Sequence, residues 1–362
     1  MADLDLRTLR NSLRASNGRW QADATPVSAL SGSDMRRRLG AEPPPGEAGL
    51  TEREQRAAQV ASSAYPELAA GAPAAVDWRS VGGDDYLGAV RDQANCGSCV
   101  AFGSIAAIEG STRVAAKKPR MNVDLSEAHL FYCHGAAEGR NCDNGWWPSQ
   151  ALDAAKSKGI VDEACFPYTA GDQACRPCSD AASRTTKIKA WTSLTSISAM
   201  QLWIAERGPV PACFIVYDDF RYYKSGIYHH LSGARLGGHC VCIVGYSNAD
   251  RAWIARNSWG PDWGEGGYFR IGYGEVGIDY EMWGIEVDAQ HIDDAVVKVE
   301  KALITGIWVN ADAKDTQCYI DKVGWRKLST PEFVTAAAAA RVSKALCTLS
   351  IKGDTITELY VL

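Results

Sequence analysis

The stretch Gln93-Ala-Asn-Cys-Gly-Ser-Cys-Val-Ala-Phe102 is typical of a nucleophile placed at the start of a helix. Ser98 is a favoured N-cap residue, and the apolar residues that follow at helical spacing predict a helix packed on one face. Cys99 then occupies the first helical position, where unpaired backbone N–H groups and the helix dipole favour a thiolate. A lone cysteine is more commonly structural, in a disulfide or a core, so the rest of the chain must supply a base.

A candidate base stands in a second stretch, Gly237-Gly-His-Cys-Val-Cys-Ile-Val-Gly-Tyr246, where His239 opens an apolar, strand-like run. His239 follows Cys99 by 140 residues, and Asn257 follows it by 158. A cysteine in a C-G-S-C context with His and Asn about 130–150 residues downstream is the signature of papain-type thiol proteases, and Asn257 lies slightly past that window. From about Ala75 to Val287 the chain therefore resembles the papain-like cysteine proteases.

The resemblance implies an α+β fold with two lobes, a helical lobe facing a β-barrel-like lobe across a cleft. In this family a thiolate attacks the peptide carbonyl and a histidine protonates the leaving amine, which implies that Cys99 is the nucleophile and His239 the acid and base. Asn257 would hold the imidazole ring, and Trp259 would shield that contact from water. The side-chain amide of Gln93, with the backbone N–H of Cys99, would stabilise the oxyanion.

The resemblance also assigns substrate-binding roles to residues along the cleft, which are Gly145, Asn144, Trp146, Trp147, Gly238, Trp259 and Glu281. The backbone of Gly145 would pair with an extended substrate, and Asn144 stands where the family usually has glycine. Glu281 aligns with the floor of the main specificity pocket, where cathepsin B also has an acid. We therefore predict that the P2 position accepts Arg as well as bulky apolar side chains. The alternative is that Glu281 points to solvent.

The chain has twelve cysteines, which is many for a reduced cytosolic enzyme. The resemblance implies two disulfides, and a local similarity to dipeptidyl peptidase I implies a third. The implied pairs are Cys96–Cys142, Cys133–Cys175 and Cys165–Cys178. Each would contribute about 2–4 kcal/mol of stability. These pairings also account better for Cys175-Arg-Pro-Cys178 than half of a zinc site does, so we expect no metal and no cofactor, and we interpret Cys213, Cys240 and Cys242 as small core residues.

The cysteines predict a secreted protein or one in a lysosome-like or vacuolar compartment, although residues 1–7 lack the apolar core of a secretory signal. We expect such a signal to have preceded residue 1, and a cytosolic protein with free thiols remains the alternative. A net charge of −5 with mixed signs argues against a nucleic-acid or membrane-surface role. No window has the apolar length of a membrane span.

The chain divides into three predicted segments: 1–73, 74–288 and 289–362. The first is similar to the cathepsin B pro-segment, with Trp20 and a Leu-Gly pair at 39–40, and its proline run at 43–45 suits an extended stretch along a cleft. A disordered leader is the alternative. We expect cleavage to the mature enzyme within 69–75. The last segment is a predicted α+β appendage of unknown role, in which Cys318 and Cys347 could bridge.

The expected function is a cysteine endopeptidase made as a zymogen. Its partners would be peptide and protein substrates, its own propeptide and cystatin-like inhibitors. No His-His insertion of the kind behind the carboxydipeptidase action of cathepsin B lies between Gly145 and Cys165. Val100 replaces the Trp that usually follows the nucleophile. Two alternatives therefore stay open: a protease-like protein that binds peptides with weak turnover, and a chain whose main functional module is the appendage.

Overall fold

A computed structural model describes residues 4–63, 71–288, 296–309, 316–321, 323–352 and 355–362. The described α-helices are α1 (Leu6–Ala15), α2 (Gly32–Arg36), α3 (Leu50–Ser63), α4 (Cys99–Ala116), α5 (Pro148–Ser157), α6 (Ile197–Arg207) and α7 (Pro331–Ser343). The described strands are β1 (Trp20–Ala22), β2 (Ala75–Asp77), β3 (Ile188–Leu194), β4 (Val210–Tyr217), β5 (Tyr223–Tyr228), β6 (Arg235–Ser247), β7 (Ala252–Arg256), β8 (Tyr268–Gly272), β9 (Met282–Val287), β10 (Val296–Val309), β11 (Thr316–Ile320), β12 (Gly324–Leu328), β13 (Leu346–Lys352) and β14 (Thr355–Val361). None of these helices is long and apolar enough to cross a membrane.

Helix α4 is the centre of the helical lobe, and it begins at Cys99 as predicted. Every residue from Cys99 to Arg113 is buried, so the prediction of a helix packed on one face is wrong. The helix is enclosed because it packs against β4 and β6 of the second lobe as well as against α5. Ser98 does occupy the N-cap position, but its side chain does not cap the helix. Its hydroxyl lies 2.8 Å from the Tyr168 hydroxyl instead.

The second lobe is a nine-stranded sheet with the order β1-β5-β8-β7-β6-β4-β9-β3, and β2 also pairs with β6. Strand β6 is nearly continuous in apolar residues because both of its faces are covered. Its partners β4 and β7 run antiparallel to it. The sheet therefore presents β6 and the residues that follow β7 to the start of α4. This arrangement agrees with the predicted two-lobed α+β fold.

Two helix ends test the predictions from local sequence. Helix α5 begins at Pro148 and stops before Gly159, which has φ 83°, as the Pro and Gly positions predict. The stretch Ser198-Ala-Met-Gln201 predicts a capping box with Ser198 as the N-cap, and this prediction is wrong. Helix α6 begins two residues earlier, and its cap is Ser196, whose side chain accepts from the backbone N–H of Ala199. A serine two residues away has the same local signal, so sequence alone chose the wrong one.

The three disulfides that the resemblance implies are present: Cys96–Cys142, Cys133–Cys175 and Cys165–Cys178. All six partners lie in the helical half of the peptidase region. Cys213, Cys240 and Cys242 are free and buried, as expected of small core residues. In the described part of the chain, no three His, Cys, Asp or Glu side chains come together as a metal site.

The N-terminal segment is folded and packed on both lobes. Leu9 and Leu13 of α1 are buried, and β1 extends the sheet by pairing with β5. The 14-residue helix α3 was not predicted. Residues 64–70 lie outside the described residues, so the expected cleavage region at 69–75 is described only from 71 onward.

The C-terminal segment forms a closed barrel with the strand order β10-β11-β12-β14-β13 and a core of its own. Thr330 followed by Pro331 predicts a helix start, and Thr330 does cap α7, whereas β12 was not predicted. The expected bridge between Cys318 and Cys347 is wrong, since both cysteines are free and buried. They lie on the two strands that flank β10, opposite Ile307 and Ala302. Strands two apart are separated by about 9–10 Å, whereas a disulfide needs Cα atoms within about 7 Å.

Candidate active site

Cys99 lies at the start of α4, fully buried and without a disulfide partner. The backbone N–H of Gly40, from the N-terminal segment, donates to its Sγ at 3.4 Å. Burial raises the pKa of the thiol to about 12, and the neighbouring Cys240 adds to the shift, although backbone N–H groups oppose it. In this covered state the Cys99 side chain is therefore a neutral thiol.

His239 lies in β6 and meets Asn257, which directly follows β7. Its Nε2 lies 2.8 Å from Asn257 Oδ1, and the same oxygen accepts from the backbone N–H of Ser258. Since an amide oxygen accepts, Nε2 carries the proton and Nδ1 keeps a lone pair. Within the described residues Nδ1 has no hydrogen-bond partner. The ring is therefore held in the tautomer that can take a proton at Nδ1.

Trp259 covers the His239–Asn257 contact. The two ring centroids lie 4.9 Å apart, and Trp259 is 2% exposed. Burial lowers the pKa of His239 to about 4, against the hydrogen bond to Asn257, which raises it. With the segment in place, both Cys99 and His239 are neutral at neutral pH. Burial therefore keeps both side chains uncharged in this state.

Gln93 presents its amide to the cleft in one orientation. Its Oε1 accepts from the Ser258 hydroxyl at 2.6 Å, which fixes the amide. Its Nε2 then donates to the carbonyl oxygens of Cys96, at 2.8 Å, and of Arg38, at 2.9 Å. A donor held this way can stabilise a carbonyl oxygen in the cleft, and here the backbone of the N-terminal segment supplies that oxygen.

The backbone of the N-terminal segment pairs with both walls of the cleft. Trp146 N–H donates to the Gly40 carbonyl at 2.8 Å, and Glu42 N–H donates to the Trp146 carbonyl at 3.1 Å. On the other wall, Ala41 N–H donates to the Gly238 carbonyl at 3.1 Å. An extended chain between the lobes thus makes strand-like contacts on either side.

The pairing of Gly145 with a substrate stays a prediction, and the N-terminal segment pairs with the next residue along the chain. Trp146, rather than Gly145, makes the backbone contacts with the segment. Gly145 has φ 60°, and a Cβ there would lie 2.0 Å from the Gly40 carbonyl oxygen, so its role is close approach. The Asn144 side chain serves the turn instead of the cleft: it accepts from Asn141 N–H and donates to the Gly139 carbonyl.

Glu281 stands in a pocket that the N-terminal segment fills with Arg53. One carboxylate oxygen lies 2.7 Å from Arg53 Nη1, and the other accepts from the Ser193 hydroxyl at 2.6 Å. The guanidinium carbon lies 4.7 Å from the centroids of both the Trp147 and Tyr280 rings. The Glu281 side chain is 16% exposed, so the solvent alternative is wrong in this state. Sequence reasoning missed Tyr280, although it adjoins Glu281, and no sequence signal pointed to Ser193.

Comparisons with known proteins bear on this site. A family model described as papain family cysteine protease matches residues 72–289, which is more than half of the chain. The chain belongs to the papain family of cysteine proteases. It is an enzyme of that family, and its relatives are named for the same activity.

Two relatives show the extent of the likeness. "Cathepsin B-like CP3" from Giardia intestinalis is 38% identical over 208 residues, which are 54% of this chain and 68% of that protein. "Cathepsin B-like cysteine proteinase 2" from Haemonchus contortus is 34% identical over 239 residues, 56% of this chain and 70% of the relative. Among solved structures, procathepsin B S9 from Trypanosoma congolense has a TM-score of 0.62 at 23% identity, covering 79% of this chain and 99% of its own. That last likeness shows the fold.

Because Cys99 is neutral and covered, we expect it to be alkylated slowly. In the intact chain we expect iodoacetamide to alkylate Cys99 at least ~100-fold more slowly than an exposed thiol between pH 6 and 8, because alkylation needs the thiolate. Peptide mapping by mass spectrometry measures the modification. The same cysteine in chain from which the N-terminal segment has been removed serves as the control and is expected to react readily. Fast alkylation of Cys99 in the intact chain would contradict the covered state.

Proposed function

We propose that the chain is a cysteine endopeptidase made as a zymogen, with residues 1–73 as its inhibitory propeptide and 74–288 as its peptidase domain. The observation that carries the proposal is the path of residues 38–42, which contact Gln93, Cys99, Trp146 and Gly238 at once. A segment that uses both walls of a peptide-binding cleft excludes substrate from it. The family membership supports the activity, and this occupancy supports the zymogen.

The proposed reaction uses the residues in the roles that their geometry allows. After the segment leaves, the Cys99 thiol gives its proton to His239 Nδ1, and the thiolate attacks the substrate carbonyl carbon. The carbonyl oxygen becomes an oxyanion, which accepts from Gln93 Nε2. His239 then passes its proton to the leaving amine, and the C–N bond breaks to give an acyl-enzyme. Water, deprotonated by His239, attacks the acyl carbon and releases the carboxylic acid and Cys99.

The test follows the full chain under mild reductant at acidic and neutral pH. We expect cleavage of a Phe-Arg reporter peptide to appear together with the loss of about the first seventy residues by mass. The alternative protein, which binds peptides with weak turnover because of Val100, predicts an inactive domain even after another protease has removed the segment. Val100 is fully buried.

We also propose that the pocket at Glu281 selects Arg, and accepts bulky apolar side chains, at the substrate's P2 position. The support is Arg53, whose guanidinium already lies between two aromatic rings and bonds to the carboxylate. A charged hydrogen bond and two cation–π contacts together suit a guanidinium. Trp147 and Tyr280 also give an apolar side chain two broad surfaces to contact.

Glu281→Gln should lower kcat/KM for an Arg-Arg reporter by about tenfold relative to a Phe-Arg reporter, because the neutral amide cannot pair with a P2 guanidinium. The measurement uses enzyme freed of the N-terminal segment. Glu286→Gln is a matched control, since Glu286 is exposed on β9, the strand that begins directly after Glu281. If the ratio of the kcat/KM values for the two reporters is unchanged in Glu281→Gln, the pocket does not select the P2 residue.

The three disulfides support an oxidising destination, so we place the enzyme outside the cytosol, in a secretory or lysosome-like compartment. An open papain-type cleft is also the surface that cystatin-like inhibitors would occupy. Recovery of the intact disulfides from the natural source, without added oxidant, checks the compartment.

A further inference from the structure

The C-terminal barrel has a specific connectivity. Strands β10, β11 and β12 form an antiparallel meander, α7 connects β12 to β13, and β14 pairs in parallel with β12 and antiparallel with β13. Pairing of β10 with β13 closes the barrel. This is the connectivity of the OB-fold, whose oligonucleotide or oligosaccharide ligands bind across the second and third strands. The connectivity alone indicates only which face would bind a ligand. The residues on β11 and β12 must indicate which kind of ligand it is.

Burial shows which residues of β11 face outward. Cys318 and Ile320 are completely buried inside the barrel, whereas Tyr319 between them is 38% exposed. Gln317 is half-buried. Because successive residues of a strand alternate between faces, Gln317 and Tyr319 belong to the outer face. An exposed tyrosine beside a polar amide is therefore the centre of this surface.

The strand register extends that surface into two rows. Tyr319 is opposite Gly306 on β10 and opposite position 325, a tryptophan, on β12. In the second row, Gln317 is opposite position 308, also a tryptophan, and opposite the exposed Lys327. Directly opposed residues share one face of a sheet, so Lys327 lies on the same face as Gln317 and Tyr319.

The charge of the barrel indicates whether an oligonucleotide or an oligosaccharide suits this face. Residues 289–362 contain nine Lys and Arg and nine Asp and Glu, so the segment carries no net positive charge. Arg326 is buried, which leaves Lys327 as the cation among the described outward-facing residues of β11 and β12. OB-folds that bind single-stranded nucleic acid combine stacking residues with a positively charged groove. In its described residues, this face has an exposed aromatic ring, Tyr319, without a positively charged groove.

We propose that the outer face of β11 and β12 binds a neutral oligosaccharide. The ring of Tyr319 stacks on the apolar face of a sugar ring, and Gln317 and Lys327 hydrogen-bond to sugar hydroxyls. The peptidase would thereby be held on glycan-bearing material. This site is separate from the catalytic cleft, so its binding does not depend on Cys99.

The test uses full-length Cys99→Ala chain, which cannot cut itself, and isothermal titration calorimetry with chitohexaose, mannohexaose and maltohexaose. We expect at least one of these to bind, with an affinity that changes little between 50 and 200 mM NaCl. Tyr319→Ala should weaken that binding by at least about tenfold, and Tyr319→Phe should retain it. Tyr360→Ala is the matched control because Tyr360 is 60% exposed on β14, away from the two rows.

Three results would overturn the proposal. The first is that none of the three hexasaccharides binds at millimolar concentration. The second is that a thymidine 20-mer or heparin binds instead, with an affinity that falls steeply as salt rises. The third is that Tyr360→Ala weakens binding as much as Tyr319→Ala does. If Tyr319→Ala unfolds the barrel, Gln317→Ala tests the same face, and an unchanged affinity in that variant counts against the site.

Discussion

Cys99→Ala is expected to abolish both reporter cleavage and loss of the N-terminal segment. In a protease whose nucleophile and base act as a unit, removing the nucleophile lowers kcat by about 10⁴–10⁶-fold. The loss is large because no thiolate is left to attack the carbonyl carbon and form the oxyanion. Reporter hydrolysis after removal of the segment by another protease measures the catalytic loss. The mass of the incubated full-length chain measures self-processing.

Cys242→Ala is the matched control for this change. Cys242 is also a free, fully buried cysteine, and it lies on β6 behind the cleft. Its replacement should leave hydrolysis within about twofold of the unchanged chain, apart from a small loss of stability from the smaller side chain. Residual turnover in Cys99→Ala close to that of the control would mean that another residue is the nucleophile.

Gly40→Ala is expected to release the inhibition in the intact chain. A Cβ at position 40 would lie 1.9 Å from the carbonyl oxygen of Gly97, a backbone atom that cannot rotate away. The segment must then shift out of the cleft, and Gly40 also supplies the N–H that contacts Cys99. We expect reporter hydrolysis by uncut chain, measured in the first minutes, to rise by at least ~10-fold, which corresponds to about 1.4 kcal/mol of lost segment binding.

Gly49→Ala tests whether any loss of glycine in this segment has the same effect. A Cβ at position 49 meets no heavy atom within 4 Å, and the residue does not have a positive φ. This variant should hydrolyse the reporter as slowly as the unchanged chain does. If uncut Gly40→Ala chain is equally slow, the contact at Cys99 does not control access to the cleft.

The candidate catalytic residues could be selected from sequence because each lies in a motif of its own. Cys99, His239 and Asn257 stand in three separated stretches whose order and spacing few other sequences share. Local signals were also sufficient for the bounds of α5 and the Thr330 cap, since proline, glycine and threonine act on their immediate neighbours. They failed at Ser98, where the hydroxyl bonds to Tyr168, 70 residues away.

The pocket at Glu281 was only partly predictable. The resemblance predicted that Glu281 lines the pocket. Its two partners lie far from it in sequence, Arg53 by 228 residues and Ser193 by 88. Neither residue differs locally from an ordinary surface arginine or serine. Contacts between distant segments depend on the packing of the whole chain, so no short window contains them. The same reason explains why the Cys318–Cys347 bridge was wrongly expected.

The sequence by itself determined the chemistry that we predict for this protein, because the type, order and spacing of Cys99, His239 and Asn257 identify them as the candidate nucleophile, base and orienting amide. Only the tertiary structure decided the state of that chemistry. Residues 38–42 lie across the cleft, and burial there raises the pKa of the Cys99 thiol and lowers that of His239. Both shifts arise because packing removes water from around the charged forms, and the extent of that removal is a property of the folded chain.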